Sequence, residues 1–153
     1  MFIIKKNRGI CLLLFMFFIC ILTSCGTNNV NSTSTSTKVV NVYNVVKEMF
    51  LTDKGYSQEL SKHVSEKVFK YTNIYNVYAV NGPQYKKPFK VDFSLKENSQ
   101  SVKKDLVYVK MTYSVMIKDY TGKNVGGSKD VPITFTVKMT GSNWYIIDKY
   151  EPA

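Results

Sequence analysis

Three cysteines, one histidine and 11 carboxylates are the side chains from which this 153-residue chain can build covalent, acid–base or metal chemistry. Cys25 closes the tetrapeptide Leu22-Thr23-Ser24-Cys25, directly after an apolar run from Ile10 to Leu22 that follows the cations Lys5, Lys6 and Arg8. Cys11 and Cys20 lie inside that run, so a chain cut before Cys25 keeps one thiol and forms no internal disulfide. His63 is the single histidine, and any His-dependent dyad or triad has to be built on it. It stands beside the apolar positions Leu60, Val64 and Val68 rather than among them, which suits a boundary or surface residue better than a general base. One His and one Cys do not make a soft-metal ligand set, and the carboxylates are scattered with no Asp-x-Asp cluster. No catalytic residues, metal or cofactor are therefore expected. Asp148 is the one acid left open: if Trp144 and Ile146 face inward it faces inward with them, and if Tyr145 and Ile147 do, it is exposed. Gly122 to Lys129, GKNVGGSK, has the glycines of a phosphate loop, but its Ser and Lys stand in the wrong order and strands flank it, so a flexible hairpin loop is expected.

The tetrapeptide at Cys25 resembles the bacterial lipoprotein lipobox, with the cationic flank, the apolar run and the small Ser24 all in place. The apolar run is too short to span a bilayer comfortably. The resemblance implies that residues 1–24 are a signal peptide, that the Cys25 sulfur receives a diacylglyceryl group, and that cleavage after Ser24 makes Cys25 residue one. Membrane lipid is then the first partner, through acyl chains of the palmitate class on Cys25, and the location is the extracytoplasmic face of the cell membrane. At about 0.8 kcal/mol per buried methylene one chain binds marginally, whereas two hold a protein on its leaflet. An ordinary secretory signal, with Cys25 incidental, is the competing reading.

Removing Lys5, Lys6 and Arg8 from the 21 basic residues leaves 18, all Lys, against 11 acids, a net of +7. Base and phosphate readers lean on the bidentate Arg fork, so a mature chain without Arg argues against nucleic acid as a partner. Dispersed lysines suit a solvated surface, or a basic domain drawn to anionic head groups or wall polymers. Residues 25–37 carry the acylated Cys and a polar low-complexity stretch, Asn28 to Thr37, that cannot bury enough apolar surface to fold. It reads as a flexible tether with a span on the order of 20 Å. Residues 38–153 are enough for one domain.

That domain has to position whatever groups act, and its periodicity changes midway. Val39, Val42, Val46, Met49 and Phe50 recur at three and four, predicting a helix that ends at Asp53-Lys54-Gly55. Ser57 is a candidate N-cap for a second helix carrying Leu60, Val64 and Val68 to about Lys70. From Ile74 onward the expected period is two. Phe89 to Leu95, Val107 to Ile117 and Val131 to Met139 each alternate apolar with polar, and Trp144 to Tyr150 follows the turn at Gly141-Ser142-Asn143. Helices first and antiparallel strands after predict an α+β fold with N-terminal helices packed on a curved antiparallel sheet.

The order of these elements, with the helix ending at Phe50-Leu51, the short helix of Leu60 and Val64, and the closing Asn143-Trp144-Tyr145-Ile146-Ile147-Asp148, resembles the nuclear transport factor 2-like superfamily. A cystatin-like helix-on-sheet domain is the nearest alternative. The first resemblance implies a cone in which enzymes enclose an acid, a base or a His, and in which accessory members bind or assemble. Tyr75, Tyr78, Tyr85 and Phe89, at the passage from helix to sheet, are the candidate surface for an apolar or glycan ligand or a protein partner. The expected function is a non-enzymatic binding or assembly module of the bacterial envelope. A small-ligand carrier is the second reading and a hydrolase or isomerase using His63 or Asp148 the third.

Overall fold

A computed structural model describes residues 39–80, 82 and 85–153, within a compact unit running from Thr35 to Ala153. The segments expected to be the signal peptide and the tether, with Cys25, lie outside the described residues. Among the described residues four helices come first: α1 (Tyr43–Leu51), α2 (Gln58–Ser61), α3 (Glu66–Lys70) and α4 (Ile74–Val77). Four strands follow, β1 (Lys90–Lys103), β2 (Leu106–Lys118), β3 (Asn124–Thr140) and β4 (Asn143–Tyr150), as one antiparallel sheet in the order β1-β2-β3-β4. The expected α+β class is found, with an open four-stranded sheet and short helices.

The alternation read from the strands holds. Val107, Val109, Met111, Tyr113, Val115 and Ile117 of β2 are all buried, as are Ile133, Phe135 and Val137 of β3, on the face that meets Val46, Met49 and Phe50 of α1. The Phe50 ring packs 4.7 Å from Tyr113 and 5.1 Å from Phe93, so the space between helix and sheet is filled by aromatic side chains. Each fully buried aromatic or aliphatic side chain of this kind stabilises by roughly 1.5–3 kcal/mol.

The helical layer departs from the periodicity in three places. Helix α1 starts at Tyr43, and Val40 and Val42 reach the core from the segment before it. That segment is tied to β1 by Gln100, whose Oε1 accepts from Val39 N (2.8 Å) and Val40 N (3.0 Å) and whose Nε2 donates to Val40 O (2.7 Å). The carboxamide thus does the work of a short partner strand.

The second expected helix is two helices. Ser57 caps α2 as expected, accepting from Leu60 N, and Ser65 opens α3 by accepting from Val68 N. Between them the chain turns into a parallel bridge, Val64 to Ile146, in which Ser65 N donates to Ile146 O and Ile146 N donates to His63 O. Leu60, Val64 and Val68 are buried in either geometry, so their spacing could not distinguish one helix from two.

Ile74 to Val77 form the single turn α4 where alternation was expected. The buried Asn73 fixes this turn: its Nδ2 donates to Met49 O (3.0 Å) and Thr52 O (2.8 Å), satisfying carbonyls at the end of α1 that have no helical partner.

The segment Gly122 to Lys129 is also corrected. The turn itself is confined to Asp119–Lys123, held by the Asp119 carboxylate accepting from Thr121 N and Lys123 N, and from Asn124 onward the chain is already in β3. Gly126 and Gly127 pair with Ile117 and Met116. A Cβ on Gly126 would lie 3.1 Å from Tyr78 Cδ1, and one on Gly127 would lie 2.6 Å from Val115 O. The glycines serve close packing within a sheet rather than loop mobility.

Candidate functional site

The residues singled out from the sequence do not converge on one site. His63 stacks on Trp144, with centroids 4.6 Å apart and planes 28° apart, and its Nδ1 is buried with no hydrogen-bond partner among the described residues. Beside it the Val64 carbonyl accepts from both Tyr56 Oη (2.5 Å) and Tyr145 Oη (2.9 Å). Partial burial and the Tyr145 hydroxyl push the Tyr56 phenol up to about 12 from its ordinary 10. This is a packing cluster that closes the β4 edge, and no carboxylate hydrogen-bonds the imidazole.

Asp148 lies in solvent. Trp144 and Ile146 do face the core side, but the register slips at Ile147, so that Thr136 opposes Asp148 and Val137 opposes Ile146. The slip reverses the parity for the rest of the strand: Asp148 turns out and Lys149 turns in, opposite the buried Phe135.

Of the four aromatic candidates, Tyr75 and Phe89 line a cleft of about 310 Å³ with Asp53, Lys87 and Pro88. Tyr85 meets Phe89 edge-on at 6.2 Å. Burial, followed by the Asp53 charge, raises the Tyr75 phenol above its ordinary range. Tyr78 is elsewhere. Its ring lies on Gly126, and its hydroxyl is 2.7 Å from Ser128 Oγ.

Tyr78 instead joins a site the sequence reading did not assemble, where the helical layer meets the inward-turned end of β4. A cavity of about 40 Å³ is lined by Phe50, Thr72, Tyr78, Tyr113, Lys149 and Glu151. Lys149 Nζ pairs with Glu151 Oε1 at 2.6 Å, and both side chains are largely buried. Tyr113 Oη donates to Glu151 Oε2 over a long 3.4 Å. Burial, reinforced by the Glu151 charge, raises the Tyr113 phenol far above its ordinary range, so it stays a neutral donor. Thr72 is 3% exposed, and its Oγ1 has no partner among the described residues.

Lys149 and Tyr71 also line an outer cleft of about 500 Å³ that continues past Val77, Asn76 and Lys70. Tyr71 and Val77 are unusually exposed for their type, at 56% and 53%. The arrangement can bind, since it offers donors in a partly dry throat and an apolar wall outside it.

Among the described residues no group of three or more His, Cys, Asp or Glu side chains could hold a metal ion, and no helix is long and apolar enough to cross a membrane. No protein-family model matches the chain, and no curated protein matches it.

Proposed function

We propose that this chain is a membrane-anchored bacterial surface lipoprotein whose α+β domain is a non-enzymatic binding or assembly module of the envelope. The observation that carries the reading is Leu22-Thr23-Ser24-Cys25 at the end of a short apolar run with a cationic flank. Cys25 is the acylated residue, and the polar stretch to Thr37 is the tether. For the domain itself, several short helices ahead of a four-stranded meander support a nuclear transport factor 2-like architecture, with a cystatin-like one as the alternative.

The chain enters the described part of the domain at the sheet edge opposite the Lys149 cleft. Gln100 holds Val39 and Val40 at the β1 edge, and the cross-strand row Gln100, Val109, Phe135, Lys149 ends at the opposite edge. Three strand spacings separate the two, about 15 Å. Tethering raises the local concentration of such a surface in a thin layer above the membrane. A small-ligand carrier is a special case of the same reading, favoured by the cleft over Lys149. A hydrolase or isomerase using His63 or Asp148 would need one of them enclosed and free to act; Asp148 is exposed and His63 is packed on Trp144.

The test is fractionation of cells fed an alkynyl palmitate analogue. The wild-type chain is expected to label and to sediment with membranes, and Cys25→Ala to lose both. A Cys25→Ala chain that stays membrane-bound and labelled would sink the anchor.

A further inference from the structure

The throat over Lys149 holds hydrogen-bond donors that the protein's own acceptors use only in part. Thr72 Oγ1 is buried and unpartnered, the Tyr113 hydroxyl reaches Glu151 only at 3.4 Å, and Lys149 spends one of its N–H groups on Glu151. Among the described residues Glu151 is the one carboxylate lining the cavity or the outer cleft, while Lys149 and Lys70 supply two positive charges. The site therefore pairs an unpartnered buried hydroxyl with a net charge of +1. An inner space of about 40 Å³ takes a flat, three-atom head group but not a bulky one, and the outer cleft of about 500 Å³ has the size of a small-molecule site. Its wall presents the Tyr71 ring and the Val77 side chain, apolar surface that a polar or strongly hydrated ligand would leave unused.

We propose that this cleft binds a small organic monocarboxylate. The carboxylate enters the throat and accepts from Lys149 Nζ and Thr72 Oγ1, beside the Tyr113 hydroxyl that donates to Glu151. An apolar or aromatic body lies outside along Tyr71 and Val77, with Lys70 at the rim. A monoanion balances the excess charge; a neutral amide forgoes the ionic part, and an ammonium meets two lysines. The inference rests on the reading of the domain as a binding module and is independent of the anchor.

The experiment is calorimetric titration of the full chain, in nanodiscs, with three probes built on one phenyl ring: benzoate, benzamide and benzylammonium. Saturable one-site binding of benzoate is expected, with benzamide at least about tenfold weaker, the value of one charge-assisted hydrogen bond, and no binding of benzylammonium. Thr72→Val is expected to weaken benzoate about tenfold while leaving the unfolding midpoint unchanged or higher, because it removes an unpartnered buried hydroxyl without changing shape. Lys149→Met is expected to abolish binding. Benzoate that does not saturate, equal affinity for the three probes, or unchanged affinity in both variants would each overturn the proposal. So would displacement of benzoate by inorganic phosphate at constant ionic strength with both variants behaving like wild type, which marks diffuse attraction to a basic chain. An acylated, membrane-bound chain that binds no benzoate refutes this inference alone; benzoate binding by an unacylated chain refutes only the anchor.

Discussion

Replacing Gln100 by Met isolates what the carboxamide does for the start of the domain, because methionine keeps the length and most of the volume of the stem and removes every hydrogen bond. Three bonds to backbone are lost, at 2.8, 3.0 and 2.7 Å, one on Val39 N and two on Val40. Val39 is exposed, so water replaces its bond at little cost. The two on Val40, and the one that Nε2 donates to Glu97 Oε1 at 2.8 Å, are partly buried and net about 1 kcal/mol each, so the expected loss is about 3 kcal/mol. If the segment peels away, the Val40 side chain, 4% exposed, leaves the core as well and adds up to about 1.5 kcal/mol. At roughly 4 °C per kcal/mol for a domain of this size, the melting midpoint should fall by about 12 °C or somewhat more. Urea unfolding gives the free energy, and amide hydrogen exchange gives the location. Val40 N–H should lose protection while the β2 amides opposite lose only the global increment. A loss below about 0.5 kcal/mol with Val40 protection intact would refute the reasoning, since it would mean the carboxamide bonds are exchanged for water without cost.

Three further outcomes are expected. Gly127→Ala drives a Cβ to 2.6 Å from the Val115 carbonyl oxygen, a backbone atom inside a paired strand that cannot rotate away; a cost of about 2–3 kcal/mol in urea unfolding is expected, and a neutral result would mean the β2–β3 register is softer than drawn. Tyr56 holds its proton to about pH 12 in the fold and to about 10 when unfolded, so its stabilising contribution is complete below pH 10 and is lost as pH rises from 10 to 12. Tyr56→Phe should therefore flatten the alkaline limb of the stability–pH curve, and an unchanged limb would contradict the burial and Tyr145 contacts assigned to it. His63→Leu keeps a side chain against Trp144 and removes the unpartnered Nδ1, so stability within about 1 kcal/mol of wild type is expected, with membrane attachment unaffected.

The aliphatic and aromatic alternation of Val107 to Ile117 and Val131 to Met139 was enough to set which face of the sheet is buried, because a strand with one covered face leaves no second solution for its side chains. The Ser57 cap and the Gly141-Ser142 turn were legible for the same kind of local reason. Single-turn α4 was not, since four residues are too few to display a helical period. The split between α2 and α3 was not, because Val64 is buried whether it sits in a helix or in a bridge to Ile146.

The candidate site shows the same division. Composition alone settled that residues 25–153 have one thiol and no arginine, since these are properties of the residue list and need no geometry. Spacing also predicted that the one histidine stands off the apolar stripe. Only the tertiary structure decided the fate of Asp148 and Lys149. One extra residue at Ile147, invisible to any pattern of alternation, sends the acid to solvent and turns the lysine under the helical layer. Thr72, Tyr113 and Glu151 are far apart in the chain, with no shared motif; the pairing of β2, β3 and β4 brings Tyr113 and Glu151 together, and the packing of the helical layer on that sheet adds Thr72. A sequence records which groups are present and how a strand alternates; which of them meet depends on register, and register is fixed by pairing between segments distant along the chain.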